Sequence, residues 1–200
     1  MSRTPAAPPP AHAAALVDEL EVKARVVDPD AVRAALARAG ATLEFRGDMI
    51  DRRFDQGRSL VERDEVLRLR EFVPGDGTPP YGVLGWKGPP SQRGVYRHRA
   101  EAEARVAAPA AVVTILERLG FTVALRIDRR VEVYRLGLAV LRLEWYPAMD
   151  VLLEVEGEPA DIERAIAATG LERDQFLPES LPYFVAQYEA RTGRAALLTR

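Results

Sequence analysis

The chain has 200 residues, 48% hydrophobic and 29% charged, which is enough apolar content for one soluble globular domain with a real core. Its formal net charge of -2 gives no sign of a general nucleic-acid or membrane surface, and no apolar run approaches membrane-spanning length. The absence of cysteine excludes disulfides, thiolate catalysis and zinc-thiolate centres, and fits a reducing, cytoplasmic location.

Residues 1–17 are Ala/Pro-rich, make a poor secretory signal, and read as a disordered tail ahead of a single domain over 18–200. His12 lies in this tail, which leaves His98 as the only histidine of the folded part and argues against a Ser-His-Asp triad or a multi-histidine metal site. Next comes Glu19-Leu20-Glu21-Val22-Lys23. In an extended strand Glu19, Glu21 and Lys23 share one face. Two close glutamates repel unless a cation or proton lies between them, and strands select against Glu and Lys. A divalent metal beside a bound polyphosphate would account for the pattern. So would the wet face of an ordinary antiparallel sheet.

Three segments, Pro29 to Gly40, Pro109 to Gly120 and Pro159 to Gly170, share one grammar: proline in the first helical turn and glycine just past the last. Val32 with Leu36, Val112 with Leu116 and Leu119, and Ile162 with Ile166 give apolar stripes at helical spacing, expected to be core. The first two units also match without gaps: Glu21 to Val26 sets onto Glu101 to Val106, and Thr42, Arg46 and Asp48 onto Thr122, Arg126 and Asp128. A charged strand followed by a helix is used twice, which implies pseudo-duplicated halves.

Between the helices the strands alternate. Arg68 and Arg70 alternate with Leu67 and Leu69, and a Pro/Gly-rich turn over 74–80 leads into a strand from Tyr81 to Lys87. Arg97, Arg99, Glu101, Glu103 and Arg105 share one face of the next charged strand. Arg142 and Glu144, then Glu154 and Glu156, follow the same rule, and the run Leu181 to Ala190 reads as a helix able to close one end. The order is α+β with a dominant antiparallel sheet. If the sheet curls on itself, the charged faces line a polar tunnel; if it stays open, they face solvent. Triphosphate needs several fixed cations, and Lys23, Arg68, Arg70, Lys87, Arg99 and Arg129 are the candidates. Carboxylates among them would repel the ligand without a bridging metal, and hard oxygen donors favour Mg²⁺ or Mn²⁺. Arg25, Arg105 and Arg142 are expected to form surface ion pairs instead.

These elements resemble the CYTH superfamily of triphosphate tunnel metalloenzymes. Glu19-Leu20-Glu21-Val22-Lys23 matches its ExExK signature, Asp51-Arg52-Arg53-Phe54-Asp55 its strand after the first helix, and Leu67-Arg68-Leu69-Arg70 its paired arginines. Trp86-Lys87-Gly88-Pro89 matches the Lys-Gly-Pro element, Arg99 to Glu103 the next charged strand, and Glu154-Val155-Glu156 the terminal acidic pair, so the likeness runs from about Asp18 to about Tyr188. The resemblance implies an eight-stranded antiparallel β-tunnel, a closed barrel with a polar interior covered by helices. It implies Mg²⁺ or Mn²⁺ on Glu19, Glu21, Glu154 and Glu156, phosphates on Lys23, Arg68, Arg70, Lys87 and Arg99, and further acids at Glu101, Glu103 and Glu144. Lys23 and Glu144 would be the catalytic pair. The sequence departs from the family where Val131 replaces a second cation after Arg129, where Glu144 replaces a common aspartate, and where Met149-Asp150 replaces Leu-Gly.

Within the family the chain looks most like class IV adenylyl cyclases, which convert ATP to cyclic AMP and pyrophosphate. The alternatives are a triphosphatase acting on inorganic, thiamine or nucleoside triphosphate, and a non-catalytic polyphosphate- or nucleotide-binding module. The expected partner is a small-molecule triphosphate, with no nucleic acid or membrane and a homodimer left open. Trp86, Tyr81 or Phe72 could stack on an adenine or serve as core or rim aromatics.

Overall fold

Helix boundaries follow the local chemistry. Asp28 accepts hydrogen bonds from the backbone N–H of Asp30 (3.1 Å) and Ala31 (3.0 Å), Pro29 opens the helix, and Gly40 leaves it at φ +77°. A computed structural model describes residues 16–200. The elements are β1 (Val17–Val26), α1 (Pro29–Arg38), β2 (Thr42–Asp55), β3 (Val66–Pro74), β4 (Tyr81–Lys87), β5 (Ser91–Arg93), β6 (Tyr96–Val106), α2 (Pro109–Arg118), β7 (Thr122–Leu136), β8 (Ala139–Trp145), β9 (Val151–Glu156), α3 (Pro159–Thr169) and α4 (Leu181–Thr192). The strand β1 begins at Val17, inside the expected tail; the rest of that expectation, over 1–15, lies outside the described residues.

The sheet runs β1-β9-β8-β7-β2-β3-β4-β6, all antiparallel, and closes because β6 pairs back onto β1. The closed eight-stranded barrel expected from the resemblance is therefore present, with β5 attached outside it along β6. Alternation then sorts every strand. Leu20, Val22, Ala24 and Val26 of β1 point outward into a core with Leu141, Leu143, Leu153 and Val155, capped by Val32 and Leu36 of α1 and Ile162 and Ile166 of α3. Each such aliphatic contributes about 1.5–3 kcal/mol by leaving water. Phe54 and Leu69 are covered in the same way by Leu116 of α2. Leu119, expected in that stripe, is 63% exposed because it lies at the helix C-cap, past the last turn that faces the sheet.

The duplication is visible in the pairing. The end of β1, both bounds of α1 and the start of β2 recur eighty residues on in β6, α2 and β7. In the β1–β6 ladder Glu19 faces Arg99, and in the β2–β7 ladder Met49 faces Arg129. Each is a residue opposite its own counterpart, so a pseudo-twofold axis crosses the barrel through these two pairs, perpendicular to the tunnel. Among the described residues no helix is long and apolar enough to cross a membrane.

Candidate functional site

The inner faces of the strands carry charge along the whole tunnel, but the two signs are separated. A chamber of about 170 Å³ is lined by Lys23, Arg53, Arg68, Arg70, Lys87, Arg97, Arg99, Arg129 and Arg142, against the carboxylates Glu21, Glu144 and Glu154. Ser180, Leu181 and Pro182 at the start of α4 wall this end, as expected for a closing helix. Helix α4 is held there by Leu181 and Phe184 against Ile127, Tyr146 and Leu152. The opposite mouth, about 590 Å³, is lined by Asp18, Glu19, Glu44, Glu101, Glu103 and Glu156, with only Arg70 and Arg142 as cations. One end of the tunnel attracts anions and the other repels them.

Three carboxylates meet between the two compartments. Glu19, Glu21 and Glu156 each bring one oxygen to within 4.8 Å of the others. The β1–β9 register sets Glu21 directly opposite Glu156, where like charges destabilise a ladder unless something neutralises them. Lysines and arginines do part of this: Glu21 pairs with Lys23 at 2.8 Å, Glu19 with Lys87, and Glu156 with Arg142 at 2.5 Å. Burial alone would raise Glu21 and Glu156, but Lys23 and Lys87 beside Glu21, and Arg142 and Lys87 beside Glu156, hold both at about 2. Glu19 goes the other way, pushed well above the usual carboxylate range by burial and then by the charge of Glu156. Three hard oxygen donors this close together could hold a hard divalent cation. Glu154, the fourth expected ligand, lies outside this group, bridging Lys23 at 2.7 Å and Arg142.

The remaining expected cations are all held by protein partners. Lys87 pairs with both Glu19 and Glu101. Arg70 pairs with Glu103, which Arg68 approaches only at 3.4 Å. Burial and the neighbouring Arg68 lower Arg70 to about 10. Arg99 donates to the backbone carbonyls of Gly88 (2.6 Å) and Asp64. Arg129 is locked between Glu144 (2.7 Å) and Asp51 (3.0 Å), both fully buried, and Tyr146 donates to Glu144 at 2.5 Å.

Three expectations change here. Arg142 is no surface residue: it shares the inner face of β8 with Glu144 and pairs with Glu144, Glu154 and Glu156. Arg105 is exposed but stacks 4.0 Å over the Tyr81 ring instead of pairing with a glutamate. Val131 is fully buried, packed with Met49 and Phe72, so the position without a cation belongs to an apolar wall. Arg130 points outward, 5.9 Å over Trp145, as strand alternation requires. The rings of Phe72 and Tyr81 stack at 5.0 Å with Phe45 edge-on, all three lining the mouth, whereas Trp86 lies outside the barrel beside Glu65.

Arg53 and Arg97 are site-facing cations that the candidate list above omits. For Arg53 the signal was available: it lies two residues from Asp51, hence on the same strand face. His98 is placed outside the tunnel, between Ser91 Oγ (2.7 Å) and Asp18 Oδ1 (2.9 Å), with Arg93 also on Asp18. The three residue types of a triad are thus aligned, but on an exposed edge where they tie β5 to β1.

No protein-family model matches the sequence, and no curated protein matches it. Solved structures do. An adenylate cyclase candidate from Vibrio parahaemolyticus superposes with a TM-score of 0.69 at 19% identity, covering 84% of this chain and 97% of that one. A protein from Pyrococcus horikoshii gives 0.65 at 21%, covering 83% and 98%. An adenylyl cyclase candidate from Hippeastrum with a dominant triphosphatase activity gives 0.56 at 17%, covering 91% and 99%. At these identities the likeness is one of fold, and the fold is the tunnel that the sequence resemblance implies.

Proposed function

We propose that this protein is a CYTH-type, divalent-metal-dependent enzyme that acts on a triphosphate. The observation that carries this reading is the separation of charge along one closed tunnel, with the Glu19–Glu21–Glu156 cluster between the two signs. Nine cations against three carboxylates leave an excess of positive charge that a triphosphate neutralises in large part, and guanidinium forks suit its oxygens. Lys23, Arg68, Arg70, Lys87 and Arg99 hold the phosphate chain, and Glu19, Glu21 and Glu156 hold the ion. When bound, Mg²⁺ or Mn²⁺ supplies charge neutralisation on the reacting phosphoryl group. Lys23, paired with Glu21 and Glu154, lies beside the reacting phosphorus, and Glu144 keeps Arg129 and Arg142 in place behind it.

The same polarity favours a cyclase over a triphosphatase. The phosphates point into the cationic chamber, so the fragment best stabilised as a leaving anion is the deep one. Attack at the phosphorus nearest the mouth releases that fragment: the ribose 3′-oxygen bonds to the α-phosphorus and gives its proton to solvent water at the mouth, the bond from that phosphorus to the α–β bridging oxygen breaks, and pyrophosphate takes the electron pair and is held by the cations of the chamber. Hydrolysis at the terminal phosphorus would instead send charge toward the acidic mouth. The stacked Phe72 and Tyr81 and the apolar Val131 suit an organic head group at that mouth.

The test is incubation with ATP, tripolyphosphate and thiamine triphosphate, each with Mg²⁺ or Mn²⁺, and product analysis by phosphorus NMR. Cyclic AMP with pyrophosphate is the expected result. Orthophosphate alone would replace cyclase by triphosphatase, and no product with tight binding would leave a binding module.

A further inference from the structure

Arg53 is placed where a cation has no reason to be in the empty protein. It projects from β2 into the chamber, and the β2–β3 register sets it directly opposite Arg68. Like charges facing each other across a ladder destabilise it. Every other arginine of the chamber is compensated: Arg68 and Arg70 by Glu103, Arg97 by Glu21, Arg129 by Asp51 and Glu144, Arg142 by Glu154, and Arg99 by two carbonyls. Among the described residues Arg53 makes no hydrogen bond or ion pair, and its buried Nε has no partner. Asp51, two residues away on the same strand face, is bound to Arg129, leaving its Oδ1 without a partner. Two guanidinium groups, one of them unpartnered, therefore share a small enclosed space under the first turn of α4.

Resting on the reading of the tunnel as a triphosphate site, we propose that Arg53 and Arg68 together bind the phosphoryl group farthest from the mouth. The anion neutralises two facing guanidiniums at once, and it replaces for Arg53 the hydrogen bonds that burial removes. The subsite selects a phosphate chain long enough to extend from the glutamate cluster to β2.

The test compares wild type with Arg53→Gln in two measurements: urea unfolding in phosphate-free buffer, and calorimetric binding of inorganic tripolyphosphate in EDTA, which removes any contribution of metal. Arg53→Gln takes away a repelling neighbour, so the empty variant is expected to unfold at the same or higher urea. Its affinity for tripolyphosphate falls about 10- to 100-fold, the worth of one charge-assisted pair. Arg53→Lys, which keeps the charge and loses the fork, falls between. A variant that is less stable than wild type when empty, or fails to fold, overturns the proposal by making Arg53 a structural residue. An affinity within threefold of wild type overturns it as well while leaving the triphosphate reading intact. Wild type that does not bind tripolyphosphate at all sinks both.

Discussion

Arg129 was expected from the sequence as a phosphate ligand, and its surroundings predict a different measurable consequence. It is the counter-ion of two carboxylates, Asp51 at 0% and Glu144 at 1% side-chain exposure, at 3.0 and 2.7 Å. These contacts outweigh burial and raise its pKa, so it stays charged at any pH at which the protein folds. Replacing it with methionine keeps the volume and removes from both acids the cation they share. Breaking a buried pair from one side costs about 3–5 kcal/mol. Glu144 retains Tyr146 and Arg142, so the cost falls chiefly on Asp51. Against the roughly 5–15 kcal/mol that holds such domains together, this is a large fraction. At about 2–4 °C per kcal/mol for a chain of this size, Arg129→Met should melt about 6–20 °C below wild type. Thermal unfolding followed by circular dichroism measures the shift, and urea unfolding measures the free-energy loss. Adding Asp51→Asn and Glu144→Gln should restore more than half of the loss, since the uncompensated charges are then gone. A single-variant loss below about 1 kcal/mol, or no recovery in the triple variant, would refute the account of Arg129 as a structural counter-ion.

Other consequences are open to simple tests. Glu21→Gln removes one of three clustered oxygens, so thermal stabilisation by Mn²⁺ should vanish and turnover should fall about a hundredfold or more; unchanged stabilisation by Mn²⁺ would place the ion elsewhere. Glu21 and Glu156, held at about 2, add stability above pH 4.5 that is lost as pH falls toward 2. Glu19, raised from 4.5, has the opposite sign: its contribution is full below 4.5 and is lost as pH rises through its own pKa. Mn²⁺ must displace that proton, so binding at about pH 5 should release it and tighten as pH rises; binding heats that do not change between buffers of different ionisation enthalpy would contradict this. A Cβ at Gly47 would lie 2.2 Å from the Val73 carbonyl oxygen, so Gly47→Ala should cost about 1–3 kcal/mol in urea unfolding, and a neutral result would mean that β2 and β3 separate freely. Val131→Arg forces a charge against Met49 and Phe72 and should lower both stability and triphosphate affinity; a gain in affinity would show that a cation is missing there.

Much of this was legible from short-range pattern. Proline and glycine marked three helices to within about two residues, and period-two alternation assigned Glu19, Glu21, Lys23, Arg68 and Arg70 to one face. Closure was legible only through the family resemblance and not from the local pattern, because it depends on β6 returning to β1 across some eighty residues, a pairing no local window contains. Register was equally hidden. Glu154 and Glu156 read as an equivalent pair, yet the β1–β9 ladder sets the first opposite Lys23 and the second opposite Glu21, which makes one an ion-pair partner and the other a member of the acidic cluster. Arg142 was misjudged because a charge beside glutamates looks the same on a wet face as on a tunnel wall, and only closure distinguishes them.

The pseudo-twofold axis through Glu19–Arg99 and Met49–Arg129 has a consequence for direction. Two identical halves would make a pipe that looks the same from both ends, with no front and no back, and a ligand could enter either way round. Here the counterpart of Lys23 is Glu103, that of Asp51 is Val131, and that of Arg53 is Val133. At these symmetry-related sites one half carries the cations Lys23 and Arg53 and the acid that fixes Arg129, and the other half carries an acid or an aliphatic. A handful of unequal substitutions between matching halves is enough to turn a symmetric conduit into a one-way socket, in which a charged chain and its head group each have one place to go.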